Sequence, residues 1–148
     1  MAISARPPAA RSKKTAPSPA PAASQKTAER RALGLAAEAA VRAWLEERGL
    51  CVLAANVRVG YLEVDLLVRD GRTLALVEVR TRSATSWTTG FGSVDGWKRT
   101  RLRRAGERLW HRCYRFDTRL DHVRFDVASV TFPTGSGNPK VEYVRAAF

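Results

Sequence analysis

Residues 62–82, LEVDLLVRDGRTLALVEVRTR, decide the fold. Two apolar runs flank Asp70-Gly71, a dipeptide that favours a tight hairpin turn, so the stretch reads as two antiparallel strands. Yet Glu63, Asp65 and Glu78 stand among its leucines and valines. Acids inside the most core-like part of a chain need a physical reason.

Side chains alternate faces along a strand. Leu62, Val64, Leu66 and Val68 then share one face, which places Glu63 and Asp65 together on the other. On the second strand Leu74, Leu76, Glu78 and Arg80 share a face. A two-residue loop at Asp70-Gly71 sets Asp65 against Leu76 and Glu63 against Glu78. A four-residue loop sets Arg69 against Leu74 and Asp65 against Glu78. Either register brings Asp65 and Glu78 within about 5–8 Å at Cβ, whereas a three-residue loop would split them. Converging carboxylates repel one another unless a cation or a proton neutralises them. Mg²⁺ suits such a place, because it takes one or two carboxylates and leaves room for water and phosphate oxygens. A hairpin with one wet polar face would show the same alternation, and spacing leaves both readings open.

Outward from the hairpin, Leu33, Ala36, Ala37, Ala40, Val41, Trp44 and Leu45 recur at helical spacing, predicting a helix from Glu29 to Arg48 that Gly49 closes. LCVLAA, 50–55, reads as a short buried strand. SATSWTTGFGS, 83–93, reads as a loop carrying Trp87. A second helix follows over 94–114, with Val94, Lys98, Leu102, Ala105 and Leu109 on one stripe and Trp97 and Trp110 as core anchors. His122–Thr131 alternates as a strand, and residues 134–139 turn into a last strand at 141–144. The order α-β-β-β-α-β-β predicts an α/β fold, one mixed sheet flanked by helices.

Residues 1–28 are Ala, Pro, Ser and basic residues with no acid before Glu29, a composition expected to form a disordered basic tail ahead of one domain over 29–148. The whole chain has 148 residues and a formal net charge of +12, from 26 Lys and Arg against 14 Asp and Glu. Such an excess favours polyanions, nucleic acid first and anionic membrane second. No apolar run approaches the roughly 20 residues of a membrane span. Cys51 and Cys113 stand far apart without a CxxC or Cys/His cluster, which argues against structural zinc or a disulfide framework and for reduced thiols in a cytoplasmic protein. His111 and His122 have no ligand-like spacing. The run WKRTRLRRAGERLWHRCYR, 97–115, carries Lys98, Arg99, Arg101 and Arg104 among its basic residues, a footprint for phosphate backbones. Arg58 and Arg82 complete the set expected to meet nucleic acid.

Six segments occur in an order that resembles the YraN family of bacterial proteins: GLAAEAAVRAWLEERGL, Asn56-x-Arg58, LEVDLL, VEVRTR, GSVDGWKRTRL and RFDVASV. The resemblance spans about residues 31–130. It implies a restriction-endonuclease-like fold, similar to that of archaeal Holliday junction resolvases, whose PD-(D/E)xK motif is an Asp followed by Glu-x-Lys on the next strand. By position the resemblance makes Asp65 and Glu78 the motif acids, Glu38 the first-helix acid, Glu63 an additional ligand and Lys98 the lysine of the second helix. It implies an Mg²⁺- or Mn²⁺-dependent endonuclease acting on DNA, branched or single-stranded forms included, and a homodimer. Arg80 departs from the pattern, standing where the motif lysine belongs. An arginine stays charged and can hold a phosphate, but cannot readily serve as a general base. Lys98 then either substitutes for it or is a surface lysine whose stem covers apolar area. A nucleic-acid-binding protein without turnover is the alternative that Arg80 keeps open.

Overall fold

The computed structural model describes residues 22–82 and 96–148. Helix α1 (Ala22–Glu46) is followed by β1 (Cys51–Val59), β2 (Leu62–Asp70), β3 (Thr73–Arg82), α2 (Gly96–Leu109), β4 (His122–Thr131) and β5 (Lys140–Val144), and a π-helical turn, Trp110–Tyr114, extends α2. The strands form one five-stranded sheet in the order β1-β2-β3-β4-β5. Only β3 and β4 run parallel. The chain returns to the sheet by way of α2, as a parallel pair requires. The expected order α-β-β-β-α-β-β and the mixed sheet are observed.

Each helix covers one face of the sheet. Ala37, Val41 and Leu45 of α1 pack on Leu66, Val68, Ala75, Val77, Ala128 and Val130. On the other face Leu102, Ala105 and Leu109 of α2 pack on Leu67, Leu74 and Leu76. Gly106 lets α2 approach closely, since a Cβ there would lie 2.7 Å from Phe125 Cζ and 3.3 Å from Leu76 Cδ2. The Phe125 ring is itself stacked on Phe148, with centroids 5.4 Å apart, so it has little room to yield.

Boundaries differ from expectation in instructive ways. Helix α1 begins seven residues ahead of Glu29, because Ala, Gln, Lys and Glu are good helix formers even where nothing covers them. Strand β1 runs to Val59, beyond the expected 50–55, because β2 supplies an antiparallel partner along its length. The expected loop at 83–93, with Trp87, lies outside the described residues, as does most of the tail. Trp97 is not a core anchor: it is 78% exposed, because α2 turns Leu102, Ala105 and Leu109 to the sheet instead. Cys51 and Cys113 are exposed free thiols.

A buried charge cluster locks β4 to the end of the chain. Asp126 is fully buried and accepts bonds from Arg124 (Nε, 2.8 Å), Tyr143 Oη (2.6 Å) and the Ala146 amide (2.9 Å). Arg124 also donates to Asp70 Oδ2 at 2.9 Å, tying the hairpin turn to β4. Burial, then the bond to Asp126, pushes the Tyr143 phenol above its usual range.

The close approach at Gly106 gives a direct test of this packing. Gly106→Ala should lower stability by about 1–2 kcal/mol in urea unfolding, overpacking outweighing Ala's better helix propensity. A neutral or stabilising result would mean that α2 sits farther from Phe125 than described.

Candidate functional site

The sheet forks. Strands β2 and β3 pair from Asp70↔Thr73 through Arg69↔Leu74 to Leu66↔Val77, and their ladder stops there. Strand β2 nonetheless stays paired with β1 as far as Val59↔Leu62, and β3 with β4 as far as Arg82↔Thr131. The turn is Gly71-Arg72, so the register is the one that sets Arg69 against Leu74. Asp65 and Glu78 are the next residues beyond the last pair, in the crotch of the fork.

Strict alternation fails at the same point. Val64 packs with the α2 side, but Leu66, two residues on, packs with the α1 side. Across the ladder, Asn56 stands between the pairs Ala55↔Leu66 and Val57↔Val64, level with Asp65, and adopts a left-handed backbone with φ +52°. Asparagine tolerates that region better than most residues. Leu62 and Val64 therefore face the α2 side while Leu66 and Val68 face the α1 side, where one shared face was expected. Glu63 goes with Arg58, whose Nε lies 3.5 Å away in an exposed ion pair, and borders a cleft of about 440 Å³ together with Glu38 and Asn56.

Asp65 is held by the fork itself. With no strand partner at this level, the Val79 amide donates to Asp65 Oδ2 at 2.7 Å. Burial pushes the Asp65 carboxyl up from 3.8 to about 6, against the opposing pull of that amide, and the nearby charges of Glu78 and Glu38 add to the rise. Lys98 pulls the other way. Four of the residues expected at the site thus act on one another: Glu38 from α1, Asp65 from β2, Glu78 from β3 and Lys98 from α2.

Each partner has its own anchor. Lys98 Nζ donates to Glu78 Oε1, so the lysine is turned to the sheet and not outward over apolar surface. The Glu78 side chain is only 10% exposed, which strengthens the pair by excluding water. Glu38 Oε2 accepts from Asn56 Nδ2 at 3.0 Å. Arg80 follows Glu78 by two residues on β3 and shares its face. Asn56 is the residue that sequence reasoning missed. An asparagine inside a strand is itself the signal, since strands are depleted in it and it marks irregular backbone.

As they stand, no three His, Cys, Asp or Glu side chains among the described residues are gathered closely enough to hold a metal ion. The donor chemistry nevertheless fits a hard cation: the oxygens of Asp65 and Glu78 flank the fork, and a desolvated, repelled carboxylate gains from positive charge. Of the expected nucleic-acid residues, Arg101 and Arg104 are exposed on α2. Arg99 is half-buried, its guanidinium 5.8 Å from the Phe148 ring centroid. The Arg82 side chain is mostly covered, 4.0 Å from Glu142 on β5. The structure does not bring Arg82 onto an open basic surface.

A mixed α/β sheet forked around two acids, with a third acid and a lysine supplied by its helices, is the class of protein that these elements define. Residues 37–130 match the family described as Uncharacterised protein family UPF0102. The chain belongs to that family. It is 50% identical over 119 residues to a UPF0102 protein of Sorangium cellulosum, covering 80% of this chain and 82% of that one. It is 41% identical over 125 residues to one of Anaeromyxobacter dehalogenans, covering 80% and 85%. The UPF0102 protein YraN of Salmonella arizonae is 43% identical over 117 residues, covering 78% and 82%. No helix among the described residues is long and apolar enough to cross a membrane.

The shifted carboxyl has a sign that can be checked. Asp65 binds its proton more tightly folded than unfolded, so its contribution to stability is complete below pH 4 and is lost as pH rises through about 6. Asp65→Asn should then stabilise the metal-free protein by about 1–2 kcal/mol at pH 8 and much less at pH 4. Equal effects at both pH values, measured by urea unfolding, would contradict a desolvated Asp65.

Proposed function

We propose that this chain binds nucleic acid and hydrolyses DNA phosphodiesters with the help of Mg²⁺ or Mn²⁺. The observation that carries the reading is the convergence of Glu38, Asp65, Glu78 and Lys98 on the fork, with Asp65 held in a state that disfavours its anion. The three acids correspond in position to those of the restriction-endonuclease-like motif that the sequence resembles, while Arg80 stands at the motif lysine and α2 supplies Lys98.

Asp65 and Glu78 would hold the ion, with Glu38 on the α1 side. When bound, the metal supplies Lewis acidity toward a phosphate oxygen and acidifies a water. The chain's own residues do the rest. Burial around Asp65 and Glu78 lowers the local dielectric, so every charge placed there counts for more. Lys98, fixed on Glu78, sets positive charge where a phosphodiester would gather negative charge in the transition state. Arg80 serves as a phosphate holder, because its guanidinium remains charged and offers a bidentate fork.

A second reading, binding without turnover, draws on a specific observation. Lys98 already neutralises Glu78, and Arg80 occupies the position of the motif lysine. Such a protein would need the fork only as architecture.

A gel assay with Mg²⁺ or Mn²⁺ on single-stranded, duplex and four-way-junction DNA separates the two. Cutting by the wild type, removed in Asp65→Asn and Glu78→Gln and slowed about 100-fold in Lys98→Ala, is the expected result. Absence of cutting by the wild type, with DNA affinity kept or raised in Asp65→Asn, would replace the nuclease with the binder.

A further inference from the structure

Three aromatic side chains among the described residues are far more exposed than their size warrants, and besides Phe116 these are Trp97 at 78% and Tyr61 at 84%. Neither belongs to either core cluster, and both lie beside the N-terminal half of α2. At 100° per residue, Trp97, Arg101, Arg104 and Arg108 fall within about 60° of arc on that helix. This stripe lies about 120° around from the centre of the buried face formed by Leu102, Ala105, Gly106 and Leu109.

The stripe is turned toward the β1–β2 turn. The Arg101 guanidinium sits over the Tyr61 ring, 5.6 Å from its centroid, and Arg108 Nη1 reaches Gly60. Trp97 and Arg104 line a cleft of about 530 Å³ at the start of the helix. No acid falls on the stripe itself. The opposite flank of α2 differs in this respect: its cleft, beside Trp110 and Phe125, also contains Glu107 and Asp121. Polyanion attraction therefore favours the Trp97 side. Lys98 adjoins Trp97 and points to Glu78, so the stripe begins where the fork lies.

We propose that this stripe is a binding site for a single nucleic-acid strand, with bases stacked on Trp97 and Tyr61 and phosphates held by Arg101, Arg104 and Arg108. The inference rests on the nucleic-acid reading above, though not on cleavage. The chemistry selects an unpaired strand over a duplex. Flat exposed rings gain by stacking on base faces, and base faces are open only where the strand is unpaired, whereas arginines attract either form. Trp97 and Arg101 are about 6 Å apart along the helix axis, so ring and guanidinium alternate at a spacing that a flexible strand can follow. A strand bound here is delivered to the fork beside Lys98.

Fluorescence anisotropy on the full chain in EDTA tests this apart from hydrolysis, using labelled oligothymidylate and a blunt duplex of equal length. Trp97→Ala and Tyr61→Ala should each weaken the oligothymidylate about 10-fold while leaving the duplex within about twofold. Trp97→Phe should keep most of the affinity, which also separates lost stacking from a lost fold. Arg104→Ala should weaken both ligands. Equal losses on both forms for the aromatic variants, no loss on either, or a wild type that does not bind oligothymidylate would overturn the proposal. The two readings fail separately: cutting with no aromatic effect removes the strand site alone, and the aromatic pattern with no cutting removes the nuclease alone.

Discussion

A carboxylate that loses water at the point where a sheet divides is the constraint around which the rest is arranged. The ladder between β2 and β3 ends at Leu66↔Val77, so Asp65 meets the Val79 amide with its side chain where a backbone carbonyl would otherwise serve. One hydrogen bond does not offset the burial, and the carboxyl rises to about 6. Lys98 answers part of the negative charge through Glu78, and Asn56 steadies Glu38 at the margin. The two helices that cover the sheet are also the two that bring these groups in. Core packing and the polar cluster are thus one design, since α1 cannot shift on Leu66 and Val77 without carrying Glu38 away.

A second polar cluster makes the contrast clear. Asp126 is more deeply buried than Asp65, yet Arg124, Tyr143 and the Ala146 amide satisfy it completely within the protein. Buried polar groups with a full set of partners specify a fold; those left short are available for chemistry. On that criterion the Asp of RFDVASV belongs to architecture, locking β4 to β5 and to the hairpin turn. The fork is the place where the chain keeps an incompletely answered charge.

Much of this was legible in the residues. Alternation and Asp70-Gly71 give the hairpin, helical spacing gives both helices, and strand register alone places Asp65 beside Glu78. What escaped was the irregularity. A period-two pattern cannot show that Val64 and Leu66 face opposite sides, so it set Leu62 and Val64 on one face with Leu66 and Val68. The left-handed turn at Asn56 is a backbone event with a faint sequence signal, a single polar residue within LAANVRV. Trp97 misled for a different reason: large aromatics are usually buried, and only the phase of α2 shows that Leu102 and Ala105 already fill that side. Lys98 carried two readings that spacing could not separate, and its bond to Glu78 adds only that it turns toward the sheet.

The most direct measurement is an NMR titration of the Asp65 carboxyl, with and without Mg²⁺. A desolvated fork that accepts a cation requires a midpoint near 6 in the metal-free protein and a clear fall when Mg²⁺ is added, because positive charge favours the anion. A midpoint near the ordinary 3.8, unmoved by Mg²⁺, would show a wet and indifferent carboxylate and contradict the account.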